Sequence, residues 1–96
     1  MALFALSYID KPNSLALRMA TREDHLAYAN APARKVKVKL GGPFLDAKGD
    51  MAGTLIIVEA ESLAEAEEFS NNDPYVKAGL FQSADIRPFR ITVNHF

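Results

Sequence analysis

The sequence predicts an α+β fold with the ferredoxin-like element order β-α-β-β-α-β, an antiparallel sheet covered on one face by two helices. Three observations carry this reading. Residues 2–9 and 54–60 are apolar runs with the length and pattern of buried strands. Helix-opening signals stand at Thr21-Arg22-Glu23-Asp24 and at Ser62 with Glu65. The helical segments fall so that a strand lies on either side of each, which is the split βαβ plan. A chain of 96 residues fits one domain, residues 1–96, and leaves no room for a second.

Each element has a local cause. Residues 2–9 form the first strand, and Asp10-Lys11-Pro12-Asn13 ends it with turn formers and a proline. Ser14 can open a helical segment in which Leu15, Leu17, Arg18 and Met19 follow at mixed spacing. A second start at Thr21 leads through His25, Leu26, Tyr28 and Ala29, and the helix stops before Pro32. Residues 36–40 alternate and read as a strand that Gly41-Gly42-Pro43 breaks, with residues 45–53 as a hairpin loop. Residues 54–60 are the central strand. The Ser62–Glu65 capping box opens a helix over residues 63–69 whose Leu63, Ala66 and Phe69 face the sheet. Asp73 caps a short helical turn beginning at Pro74, where a missing N–H costs nothing, and Gly79 ends it. Residues 80–93 form a last strand or pair of strands, interrupted by Pro88.

The central strand is apolar on both faces, Leu55 and Ile57 against Ile56 and Val58. A second subunit stacking its sheet there would bury the outer set, so a homodimer in the form of a dimeric α+β barrel is expected.

Composition narrows the function classes. With 11 basic and 12 acidic residues the chain has no electrostatic footprint for nucleic acid. The one basic cluster, Arg34-Lys35-Val36-Lys37-Val38-Lys39, alternates with valines and reads as a solvated strand face. There is no cysteine, which excludes disulfides and thiol nucleophiles and suits a reducing cytoplasm. The N-terminus lacks the basic flank and cleavage site of a signal peptide, and no apolar run is long enough to cross a bilayer. Cytoplasmic residence and no membrane partner are expected. Dinucleotide and triphosphate loops are absent, as are metal-ligand clusters and a serine nucleophile elbow, so neither cofactor nor metal is expected.

His25 and His95 are the only histidines. Read as lying in the first turn after Thr21, His25 has its cation disfavoured by the helix dipole unless a carboxylate compensates, and its imidazole can exchange protons near neutrality. The alternative is a helix-surface histidine with no chemical role. Asp10, at the carboxyl end of the first strand, is the natural partner that would fix the tautomer of His25; it also suits a plain turn. Asp73 reads first as a helix cap and second as functional. Arg18 and Arg22 lie one helical turn apart and can hold an anionic substrate oxygen or be solvated. Gly41-Gly42-Pro43 allows close approach by a ligand or simply ends a strand. His95 lies at the terminus, where chains fray.

These residues resemble a known family. Tyr8-Ile9-Asp10-Lys11, Ser14-Leu15-x-x-Arg18 and Arg22-x-x-His25-Leu26 look like the opening of the YCII (YciI-like) family. Gly41-Gly42-Pro43 is similar to its strand end, Asp73-Pro74-Tyr75-Val76-x-Ala78-Gly79 to its Asp-Pro-Tyr block, and Arg87-Pro88-Phe89 to its closing segment. The resemblance implies a dimeric ferredoxin-like fold with a His-Asp active site, roles that carry over onto His25 and Asp10. Substrate-binding roles then fall to Arg18, Arg22, Gly42, Pro43, Asp73 and Tyr75. It further implies a cofactor-independent lyase, because one activity assigned in the family is dehydrochlorination of a chlorinated hydroxyhydroquinone in aromatic degradation. The alternatives are a muconolactone-isomerase-like isomerase, a non-enzymatic accessory or ligand-binding module, and an oxygen-using monooxygenase of similar fold.

Overall fold

The computed structural model describes residues 2–32 and 34–96. In chain order the elements are β1 (Ala2–Asp10), α1 (Leu15–Ala29), β2 (Lys37–Leu45), β3 (Met51–Ala60), α2 (Leu63–Asn71), α3 (Pro74–Lys77) and β4 (Phe81–Phe89). The strands form one sheet in the order β2-β3-β1-β4, every neighbouring pair antiparallel. This is the expected α+β, ferredoxin-like arrangement.

Strict alternation builds the core. Phe4, Leu6 and Tyr8 of β1 and Ile56, Val58 and Ala60 of β3 point to one side and pack on Ala66 and Phe69 of α2. Each large side chain buried this way contributes about 1.5–3 kcal/mol. Tyr8 stacks on Phe81 and shares a 2.6 Å hydrogen bond with Ser70, and burial pushes its phenol up to about 12. The Ser62–Glu65 box forms: Ser62 Oγ accepts from the Glu65 N–H, while Glu65 Oε1 accepts from the N–H of Glu61. Leu63, the first residue of α2, stays exposed instead of facing the sheet.

Three local expectations are corrected. α1 is continuous, with no second start at Thr21. The Thr21 hydroxyl donates back to the Leu17 carbonyl at 2.9 Å, inside the helix, and so caps nothing. His25 therefore sits deep in α1, away from the first turn where the dipole acts. β2 does not end at Gly41-Gly42-Pro43 but runs through it to Leu45, with Pro43 opposite Thr54. Proline is tolerated there because β2 is an edge strand and one side of its backbone has no ladder to complete. The hairpin loop accordingly shrinks to a tight turn, in which Asp46 Oδ1 accepts from the N–H groups of Lys48 and Asp50. The last strand is single and runs through Pro88, because β4 is the other edge.

α1 is held unusually. Its buried residues are Arg18 and His25, both polar, while Leu15, Leu17, Met19 and Leu26 are all exposed. Ordinary helices bury an apolar stripe; the inner face of this one is built from groups that need partners. The sheet face away from the helices also leaves Ile9, Leu40, Phe44 and Phe89 exposed. No helix among the described residues is long and apolar enough to cross a membrane.

Candidate active site

A cleft of about 220 Å³ lies between α1 and the β2–β3 hairpin. Cavities of roughly 150 Å³ can hold a benzene ring, so the space fits one substituted six-membered ring. Its walls include Arg18, Arg22 and His25 from α1, Gly42 and Pro43 from β2, and Tyr75 from α3. The passage of β2 through Gly41-Gly42-Pro43 lets the backbone form the wall opposite α1, where larger side chains would fill the space.

The first polar cluster anchors the cleft. Arg18 donates from Nε to Asp10 Oδ2 at 2.8 Å and from Nη2 to Asp10 Oδ1 at 2.9 Å. Nη2 also reaches the Gly53 carbonyl at 2.8 Å and Thr54 Oγ1 at 2.7 Å. Gly53 must be glycine, since a Cβ would collide with the Tyr8 carbonyl of the neighbouring strand. Burial pulls the guanidinium pKa down, but the hydrogen bond and charge of Asp10 push it up and win. Arg18 is 2 % exposed and its cation lies 4.7 Å from the Tyr75 ring centroid.

The second cluster pairs the histidine of the cleft with a carboxylate. His25 Nδ1 lies 2.9 and 3.0 Å from the two oxygens of Asp73. A carboxylate only accepts, so Nδ1 carries the proton and the Nε2 lone pair is left for the cleft, with no partner among the described residues. The imidazole stacks on Tyr75 with ring centroids 4.1 Å apart. Asp73 Oδ1 also accepts the Tyr75 N–H at 2.9 Å, so the carboxylate that caps α3 also fixes the histidine. Burial raises the Tyr75 phenol, while Arg18 and Arg22 pull it the other way.

The pairing expected of His25 with Asp10 is thus corrected. Asp10 spends both oxygens on Arg18, the buried cation eight residues along, and the carboxylate on His25 is Asp73. Asp73 is the cap expected of it and, with the same side chain, meets His25. Arg22 is exposed and lines the cleft. Sequence reasoning missed Thr54, Ile56 and Met51. For Thr54 a signal existed: it heads the apolar run in the same alternation as Ile56 and Val58, which places a hydroxyl on the helix-covered face. A wider groove lined by Tyr28, Arg34, Lys35 and Glu65 lies elsewhere, with Arg34 over the Tyr28 ring and Lys35 3.8 Å from Glu65.

A single antiparallel sheet, with a carboxylate-held histidine of its first helix stacked on an aromatic ring, defines a small α+β protein of the ferredoxin-like class. Residues 2–90 match the YCII-related domain, and the chain belongs to that family. It is 31% identical over 94 residues to the YciI protein of Escherichia coli, covering 92% of this chain and 96% of that one. An uncharacterized protein of Haemophilus influenzae is 31% identical over 87 residues, 84% of this chain and 89% of that one. Among solved structures, 5-chloro-2-hydroxyhydroquinone dehydrochlorinase from Burkholderia phenoliruptrix, in complex with 2,5-dihydroxybenzoquinone, is similar with a TM-score of 0.82 and 38% identity. That match covers 92% of this chain and 93% of the enzyme. A NIPSNAP domain protein from Burkholderia xenovorans shares the fold alone, with a TM-score of 0.54 at 11% identity.

Proposed function

We propose that the protein is a cofactor-independent lyase that removes HCl from a small chlorinated hydroxyhydroquinone, with His25 as general acid/base and Asp73 as the carboxylate that holds it. The observation that carries this reading is the buried His25–Asp73 pair on the wall of a ring-sized cleft. The likeness to the dehydrochlorinase supports the substrate class.

In this mechanism the ring lies against Tyr75, and Nε2 of His25 takes a ring hydroxyl proton. The carbon bearing chlorine is protonated as the ring reaches a keto tautomer. A second hydroxyl then gives up its proton, its electrons form a carbonyl, and the C–Cl bond breaks with both electrons leaving on chloride. The net change is loss of HCl to give a hydroxyquinone, so the ring supplies its own electrons.

The test is anaerobic chloride release from 5-chloro-2-hydroxyhydroquinone with no added cofactor. The wild type releases chloride, and His25→Ala is slower by at least a factor of roughly 100. No release by the wild type would remove the lyase reading and leave a ligand-binding module.

The same reading takes the working form to be a homodimer joined through the helix-free sheet face. Support comes from Ile9, Leu40, Phe44 and Phe89, each 37–53 % exposed on that face. Light scattering should return twice the chain mass, and Leu40→Glu should return the monomer; a wild-type monomer would sink the assembly.

A further inference from the structure

Thr54 carries a donor that finds no acceptor among the described residues. It is 2 % exposed, on the helix-covered side of β3, and it lines the cleft together with Arg18 and His25. Its oxygen accepts the Arg18 Nη2–H at 2.7 Å, but its own O–H meets no acceptor among the described residues. A buried hydroxyl that accepts one hydrogen bond while its own O–H faces a cleft points to a ligand oxygen as the acceptor. The guanidinium on its lone-pair side polarises the O–H and makes it a stronger donor. Asp10 holds that guanidinium in place.

We infer that Thr54, set by Arg18, is a specificity-determining residue that donates to an anionic ring oxygen, distinct from the oxygen handled by His25. This rests on the proposed ring substrate and deepens it: the cleft selects rings bearing at least two oxygens, one of them ionised. Hydroxyquinones meet that requirement because their hydroxyl is a vinylogous carboxylic acid. Ile56 beside Thr54 and the Tyr75 ring supply the apolar walls, so the orientation of the ring falls to the two polar points.

The experiment measures binding of 2,5-dihydroxybenzoquinone by calorimetry to wild type, Thr54→Val and Thr54→Ser, beside chloride release by each. Loss of one hydrogen bond to a charged oxygen should weaken binding to Thr54→Val by roughly 10- to 100-fold. Thr54→Ser, which keeps the hydroxyl, should bind close to wild type, and a merely structural role would not give that rescue. Equal affinity of wild type and Thr54→Val overturns the inference, as does a folded Thr54→Ser that binds no better than Thr54→Val. Should Thr54→Val fail to fold, the wild type decides alone: 1,4-benzoquinone, which has no ionisable oxygen, must bind more weakly than 2,5-dihydroxybenzoquinone, and equal binding overturns the inference. Binding that follows the expected order without chloride release supports the inference and removes the dehydrochlorinase reading. No binding by the wild type overturns both.

Discussion

Asp73→Asn lowers chloride release by roughly 100- to 10,000-fold while the chain stays folded. The two halves of this expectation separate because Asp73 does two jobs with different chemical needs. As a cap of α3 it needs only an acceptor for the Tyr75 N–H, and asparagine caps about as well as aspartate. As the partner of His25 it must accept from Nδ1 and offset the charge of the imidazolium. Once the asparagine Oδ1 is held by Tyr75, its amide N–H groups face the ring. An NH2 group then stands where Oδ2 lay, 3.0 Å from Nδ1, which disfavours a proton on Nδ1, favours it on Nε2 and takes the lone pair away from the cleft. Steady-state rates beside thermal unfolding by circular dichroism check this. A folded Asp73→Asn with wild-type turnover would exclude His25 as a base held by Asp73.

Arg18→Leu destabilises the fold by about 3–5 kcal/mol, the cost of leaving a buried charge without its partner. Asp10 would keep its place at the end of β1, with a side chain 6% exposed and both oxygens unpaired. The Gly53 carbonyl and Thr54 hydroxyl would lose their donor as well. Against a total stability of about 5–15 kcal/mol such a loss is large. Urea unfolding followed by circular dichroism measures it. Adding Asp10→Leu should recover part of the loss, because the stranded charge is then gone. A loss below about 1 kcal/mol, the scale of an exposed pair, would mean that water reaches the Arg18–Asp10 pair.

Much of the architecture was legible because it depends on neighbours in sequence. The alternation of Phe4, Leu6 and Tyr8, the Ser62–Glu65 box and the Asp73–Pro74 helix start are all decided within a few residues. What escaped depends on distant partners. Whether Gly41-Gly42-Pro43 ends a strand depends on β3 lying beside it, and an edge position makes the proline harmless. Thr21 can cap a new helix or bond back into an existing one, and only the continuity of α1 decides.

The site shows the same division. His25, Arg18, Arg22, Gly42, Pro43 and Tyr75 all line the cleft, and each stands in a motif readable along the chain. The pairing within that set was not readable. His25 and Asp73 are 48 positions apart and meet because α3 packs against α1. Asp10 was the nearer carboxylate in sequence, yet Arg18 stands between the two. Arg18 and His25 are seven positions apart, two turns of α1 and the same face. A buried arginine needs a carboxylate of its own, so one acid could not serve both.

The two prolines in the sheet have a consequence for how copies of the chain meet. Pro43 lies in one outer strand and Pro88 in the other, so neither rim presents an unbroken row of backbone donors. Strands as apolar as β1 and β3 would be a hazard if the sheet could lengthen sideways into a cross-β ribbon. With both rims interrupted, lateral polymerisation is blocked at its first added strand. In the proposed dimer, association falls to side-chain packing across the flat of the sheet, a contact that closes on itself after one partner.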